Sequence, residues 1–213
     1  MYKCTLVIVS GLPATGKTVL SKKLAQYAQL PLFSKDAVKE MLFDGVGHGD
    51  RAWGEKLNTP TYDILDYIVE QQLRSRGSLI VETPYDQDFR VEKYIEMQAK
   101  YGFTCVQVLC YADPEILLQR FIERIGSADR HPGHNDKAAL EDFKASMKNA
   151  GKVTPLPLAG QVYQVDTTHF AQVNEEALFR EVRSLVLAST ADRLKRLMKL
   201  RSPKLFTRRT ATH

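Results

Sequence analysis

The segment Gly11-Leu12-Pro13-Ala14-Thr15-Gly16-Lys17-Thr18 follows the apolar run at 5–10 and reads G-x-x-x-x-G-K-T. That pattern between a strand and a helix folds as a loop whose backbone NH groups cradle phosphate oxygens. Gly11 and Gly16 let the chain turn tightly and approach the oxygens with no side chain in the way. The NH groups from Ala14 and Thr15 through Thr18 are the expected donors. The helix expected over about 16–29 carries Leu20, Leu24, Tyr27 and Ala28 on one face. Its first NH groups lack intrahelical partners, and their partial positive charge favours an anion. Lys17 is suited to neutralise β and γ phosphates, and the Thr18 hydroxyl to join the shell of a Mg²⁺ ion that keeps most of its water. Pro13 has no NH and stiffens the loop.

Length and composition then bound what surrounds the loop. With 213 residues, 44% hydrophobic and 26% charged, the chain has room for one globular domain with a sizeable core and not for a second full domain. No apolar stretch approaches a membrane span, and the N-terminus runs straight into a strand, so a cytoplasmic location is expected. Three cysteines give no disulfide framework or metal spacing, and Cys105 and Cys110 fall on opposite faces of one expected strand. The net charge of +5 is concentrated at the end, where residues 191–213 hold eight Lys or Arg against one Asp. The expected organisation is a domain over 1–190 followed by a basic helix and tail over 191–213. Such a tail can grip nucleic acid or an acidic surface, or be a solvated helix end.

Strand patterns at 5–10, 32–34, 78–82, 104–111 and 161–166 alternate with helical ones at 37–43, 60–76, 88–100, 114–124, 137–148 and 174–187. A further helix is expected at 191–200. This alternation predicts an α/β fold: a parallel sheet of about five strands with helices on both faces and ligands beyond the carboxyl ends of the strands. The polar, glycine-containing segments 44–58 and 126–137 read as flaps over a site or as plain surface loops.

Several residues near that sheet edge carry chemistry. Asp36 and Lys39 stand three apart after the second strand, on one face of a helix's first turn. Asp36 either accepts the proton of an attacking hydroxyl or caps the helix, and Lys39 is placed to hold an anionic group of an acceptor. Glu82 ends the third strand, where a carboxylate can orient a metal's water or an acceptor hydroxyl, and Tyr85 and Asp86 follow as candidate acceptor-binding residues or as a turn sequence with no further role. Arg120 and Arg124 share a helix face and Arg130 lies beyond them. Planar guanidinium groups there suit a lid, spanning about 120–137, that stabilises a transferring phosphoryl group. His131 and His134 are three apart without further ligands for zinc, which favours a tight turn bearing one substrate-contacting histidine. His48, Asp50, Arg51, Trp53 and Tyr62 border the expected acceptor pocket, with Arg51 and His48 placed to read an anion and Trp53 to stack on a ring, or each standing as ordinary surface or packing.

Taken together, G-x-P-x-x-G-K-T at 11–18, Asp36-x-x-Lys39, the arginines at 120–130 and Val165-Asp166-Thr167-Thr168 resemble the small kinases of the phosphate-loop superfamily. That group includes polynucleotide 5′-hydroxyl kinases, chloramphenicol phosphotransferase, gluconate kinase and zeta-type toxins, and the likeness covers most of residues 1–187. The resemblance implies a three-layer phosphate-loop NTPase fold with strand order 2-3-1-4-5. It implies ATP and Mg²⁺ at Lys17 and Thr18, Asp36 as base, Arg120, Arg124 or Arg130 as lid arginines, and the loop at Asp166 and Thr167 near adenine. Polynucleotide kinases commonly place arginine where this chain has Lys39, a departure that weakens bidentate recognition of a nucleic-acid phosphate.

Three functions follow from these residues. The first is an ATP- and Mg²⁺-dependent kinase acting on a hydroxyl of a small molecule, with Asp36 as base and the lid arginines stabilising the phosphoryl group. The second is the same chemistry on a nucleic-acid 5′ end, drawn in by the basic tail. The third is an ATP-dependent switch or assembly factor that hydrolyses slowly and signals through lid closure.

Overall fold

All seven residues of β1 (Thr5–Gly11) are buried, the signature of a central strand covered on both faces. In the computed structural model, which describes residues 4–84, 87–147 and 154–200 and, within these, the side chains other than 87–89, 190 and 192–200, β1 lies between β3 (Leu79–Glu82) and β4 (Thr104–Tyr111). The short β2 (Leu32–Ser34) pairs with β3, and β5 (Gly160–Asp166) with β4. All four pairings are parallel, and the order is β2-β3-β1-β4-β5, as the family resemblance implied.

Alternation along the strands divides the core. Leu6, Ile8, Leu79, Val81 and Cys105 face one way, packing with Leu65, Val69 and Leu73 of α4 (Asn58–Arg74) and Tyr94 and Met97 of α5 (Gln87–Tyr101). Val7, Val9, Ile80, Val106, Val108 and Cys110 face the other way. They pack with Leu20 and Leu24 of α1 (Lys17–Ala28) and Leu178, Phe179 and Val182 of α8 (Glu175–Leu200). The four-residue spacing of Leu65, Val69 and Leu73 keeps one face of α4 on the sheet. Cys105 and Cys110 do lie on opposite faces, and burial pushes both thiols up to about 12.

Helix limits follow the apolar periodicity with shifts of one to three residues, and three differences matter. First, α2 (Lys35–Val46) starts earlier and ends later than expected, and Arg51–Lys56 forms a short helix, α3, inside the segment expected as a flap. Asp50 starts α3 by accepting from Trp53 N at 2.9 Å, and so few residues with one small buried position give no usable period. Second, the second expected flap contains a 3₁₀ turn over Pro132–His134, followed by α7 (Asp136–Met147). Third, the two helices expected at 174–187 and 191–200 are one continuous α8.

The segment from α6 (Pro114–Arg124) through α7 has its own small core. Leu117 and Phe121 of α6 pack with Phe143 of α7, whose ring stacks on Phe121 with centroids 4.1 Å apart. Leu12 and Ala14 pack against this cluster, so the α6–α7 segment rests directly on the glycine-containing loop.

Candidate active site

The loop expected to bind phosphate has backbone geometry that requires its glycines. Gly11 has φ 154° and Gly16 φ 78°. A Cβ at Gly11 would run into the Cys110 carbonyl, and one at Gly16 would lie 2.8 Å from the Phe170 ring. Ala14 also adopts positive φ, at 66°. The Thr15 hydroxyl turns inward to donate to Leu12 O at 2.8 Å. Gly16 caps α1 without a side chain, so the first NH groups of that helix are left to a ligand. Pro13 lines the adjoining cleft.

Lys17 extends back over this loop. It is 8% exposed and donates to Leu12 O at 3.3 Å, with Glu82 Oε1 at 3.8 Å. Burial lowers its pKa, opposed by the charges of Glu82 and Asp36, so an arriving phosphate would favour the charged form. Thr18 donates to Glu82 Oε1 at 3.3 Å, and Ser34 donates to Glu82 Oε2 at 2.5 Å. Glu82, 2% exposed, therefore joins the start of α1 at Thr18 to the start of α2 at Ser34. The hydroxyl and carboxylate are hard oxygen ligands suited to Mg²⁺. Among the described residues no group of three or more His, Cys, Asp or Glu could hold a metal ion, so an ion there would draw its other ligands from phosphate and water.

A cleft of about 400 Å³ opens beside the loop, lined by Lys17, Lys35, Asp36, Lys39, Arg124 and Arg130, among others. The capping question at its edge is resolved by Ser34, whose hydroxyl accepts from Ala37 N. Asp36 stands in the first turn with its carboxylate ion-paired to Lys35 at 3.4 Å and Arg130 at 3.1 Å. Burial alone would raise its pKa, but the charges of Lys35, His134, Arg130 and Lys17 outweigh burial and hold it well below the carboxylate range. Lys39 shares the cleft yet does not pair with Asp36; its ammonium donates to Asn58 Oδ1 at 2.8 Å.

The lid arginines separate into two groups. Arg124 and Arg130 converge on Asp136, with Arg124 Nε 3.0 Å from Oδ2 and Arg130 donating from Nε at 2.8 Å and Nη2 at 3.2 Å. Arg124 Nε is buried without a well-aligned hydrogen-bond acceptor, a donor that a phosphate oxygen could satisfy. Arg120, expected to join them, instead donates to the carbonyls of Thr167 and Thr168, both at 2.9 Å. A shared face of α6 did not suffice, because one turn along the helix the neighbour changes from α7 to the chain after β5.

Other expected site residues are engaged elsewhere. Arg51 pairs with Glu55 at 2.7 Å and with Asp142 of α7, bracing α3 against α7. Thr167 is fully buried and both its NH and hydroxyl donate to Tyr111 O at 2.8 Å. Asp166 accepts from Thr168 N at 2.8 Å; bonds from the Thr168 hydroxyl and NH lower its pKa. It lines a second cavity, of about 330 Å³, with residues of β5 and α8. Trp53 donates from its indole to Gly47 O at 2.8 Å. Tyr85, Asp86 and the basic side chains beyond Ala191 lie outside the described residues.

Asn58 and Asp136 are the contributors that spacing did not single out, whereas of the two histidines expected in a tight turn His131 caps and His134 ends a 3₁₀ turn, and both meet carboxylates of α2. Asp36, Glu40 and Asp44 follow one another at four-residue intervals on α2. The lid meets them with Arg130, His134 at 2.7 Å and His131 at 3.2 Å respectively. His131 Nδ1 accepts from Gly133 N at 3.0 Å, so its neutral form carries the proton on Nε2, toward Asp44. Phe43 lies between the two histidines, stacked on His131 and edge-on to His134.

The model of the AAA domain family matches residues 6–150. Among solved structures, a candidate kinase from Chloroflexus aurantiacus is 37% identical, covers 86% of this chain and 98% of its own, and superposes with a TM-score of 0.77. A sugar kinase from Janibacter sp. is 12% identical, with 86% and 94% of the two chains covered and a TM-score of 0.52, a likeness of fold alone. With the glycine loop, the 2-3-1-4-5 parallel sheet and a family match over most of its length, the chain belongs to the AAA domain family and has the fold of a phosphate-loop kinase.

Proposed function

We propose that this protein transfers the γ phosphate of ATP to a hydroxyl group of a small molecule. The observation that carries the reading is the meeting of Lys17, Asp36, Arg124 and Arg130 around one cleft of about 400 Å³, a volume near the lower end for small-molecule sites. The acceptor oxygen would form its bond to the γ phosphorus as the bond to the bridging oxygen breaks, with ADP taking the electron pair. The acceptor proton would pass to a carboxylate oxygen of Asp36. Arg124 and Arg130, prepositioned by Asp136, would face the charge on the phosphoryl oxygens. Thr18, and Glu82 through water, would hold Mg²⁺, which supplies charge neutralisation at the phosphates.

The test is label transfer from γ-labelled ATP with Mg²⁺ to a panel of nucleosides, sugars, polyols, antibiotics and 5′-hydroxyl oligonucleotides. A labelled small-molecule product supports the reading. ATP turnover that no hydroxyl compound captures as product, together with a protein complex formed only with ATP, would favour the switch instead.

A further inference from the structure

The acceptor end of the cleft holds a cation set apart from the others. Lys17 has Glu82, Lys35 has Asp36, and the two lid arginines have Asp136. Lys39 is 8% exposed, and among the described residues its ammonium meets a neutral amide, Asn58 Oδ1 at 2.8 Å, and the face of Phe43 with its centroid 5.5 Å away. A buried charge without a counter-ion is costly. The groups around it compound the cost: burial, then the charge of Lys35, push its pKa down to about 8, with Arg130 acting in the same sense and Asp36 and Glu55 opposing.

Two neighbours extend the site. Lys35 lies four residues earlier on the same face of α2 and lines the same cleft, its ammonium 3.4 Å from Asp36. Asn58 also lines the cleft, and because Lys39 must donate, the amide presents its oxygen to Lys39 and keeps its NH₂ as a donor. Lys39 itself uses one of three N–H bonds on Asn58. Lys35, Lys39 and Asn58 thus bring donors to this end of the cleft, beside the Asp36 carboxylate.

We infer that the acceptor is itself an anion, a small hydroxylated compound whose carboxylate or phosphate group is seated by Lys39, Lys35 and Asn58 while its hydroxyl faces Asp36. The inference rests on the phosphotransfer reading of the same cleft. An oxyanion supplies the counter-charge that Lys39 does not find among the described residues, and its arrival raises the ammonium's proton affinity, so binding above neutral pH takes up a proton.

The experiment compares matched acceptors: a polyol, the aldonate of the same carbon skeleton and the corresponding polyol phosphate, each at four and six carbons, with γ-labelled ATP and Mg²⁺. The parent chain is expected to favour one anionic series over the polyol by tenfold or more in kcat/KM, and whichever series wins separates carboxylate from phosphate. KM for that series should rise above about pH 8 as Lys39 loses its proton. Lys39→Met, and Asn58→Asp, which gives Lys39 an internal counter-ion, should each cut the anionic preference at least tenfold, mainly through KM. Lys39→Arg should restore part of it. Equal kcat/KM for polyol and anions, or an unchanged preference in Lys39→Met, overturns the inference while leaving phosphotransfer intact. If no acceptor is labelled although ATP binds, phosphotransfer to these compounds fails, and calorimetry with the aldonate and the polyol phosphate decides the anion seat. Binding with proton uptake at pH 8 in the parent and not in Lys39→Met supports it; no binding overturns it.

Discussion

Arg130 donates from Nη1 to Asp36 Oδ2 at 3.1 Å while its other nitrogens grip Asp136. One guanidinium thus spans the lid and the carboxylate proposed to receive the acceptor proton. A phosphoryl group entering the cleft would compete for the same donor, drawing Arg130 off Asp36 and exposing the carboxylate when it is needed.

Replacing Asp36 by Asn removes the proton acceptor and keeps the shape. Transfer to the acceptor should fall about 10²–10⁴-fold, with ATP affinity changed far less. Because its neighbours hold Asp36 below the ordinary carboxylate range, the parent enzyme should show no acid limb attributable to it between pH 5 and 7. Its contribution to stability is present above the unfolded carboxylate pKa and is lost as pH falls toward the depressed folded value. Steady-state kinetics against pH, paired with nucleotide binding, checks both statements.

Asp136→Asn leaves two guanidinium groups in a partly buried setting without their shared carboxylate. The expected result is a loss of about 3 kcal/mol or more in unfolding free energy. A fall in kcat should exceed any change in the affinity for ATP, since Lys17 and the glycine loop are untouched. Denaturant melts and single-turnover kinetics separate the two effects.

Lys39→Met should stabilise the fold while impairing acceptor binding. A lysine pKa pushed down to about 8 means that protonation disfavours the folded state, so the penalty is fully present below pH 8 and vanishes above the unfolded value near 10.5. Unfolding free energy at pH 7 should rise by about 1–3 kcal/mol, and the advantage should shrink between pH 8 and 10.5. Melts across that window decide the sign.

His134 is buried against Glu40, and burial lowers its pKa, with Arg130 acting in the same sense and Asp36 and Glu40 opposing. Below the unfolded value of about 6.5, the unfolded chain takes the proton more readily, so stability declines as pH falls through the histidine range. His134→Gln should flatten the stability profile between pH 5 and 7. An unaltered slope would assign the dependence to other groups.

The framework was readable in the chain because it rests on strong local signals. Val7 and Val9 alternating with Leu6 and Ile8 announce a doubly covered strand, and the glycines at 11 and 16 announce the loop between β1 and α1. Asp36, Lys39 and Arg124 were identifiable as cleft residues because each lies on a helix that follows a strand, and Arg130 because it continues the arginine series beyond α6. Their partners were not. Asn58 meets Lys39 only through the packing of α4 on α2, and Asp136 gathers two arginines only because α7 folds back on α6. Arg120 and Arg124 look equivalent at a spacing of four, yet different neighbours capture them. Short α3 and the 3₁₀ turn at Pro132–His134 are stabilised by Asp50, Phe43 and the histidine contacts, none of which imposes a period on the sequence.

Glu82 accepts from Thr18 on one oxygen and from Ser34 on the other, and Ser34 in turn caps the helix that bears Asp36 and Lys39. Were a hydrated ion to draw one Glu82 oxygen away from Thr18, the bond from Ser34 to the other oxygen, and with it the start of α2, would be the first contacts to respond. On the phosphotransfer reading, such wiring would let occupancy at one end of the cleft be felt at the other through Glu82.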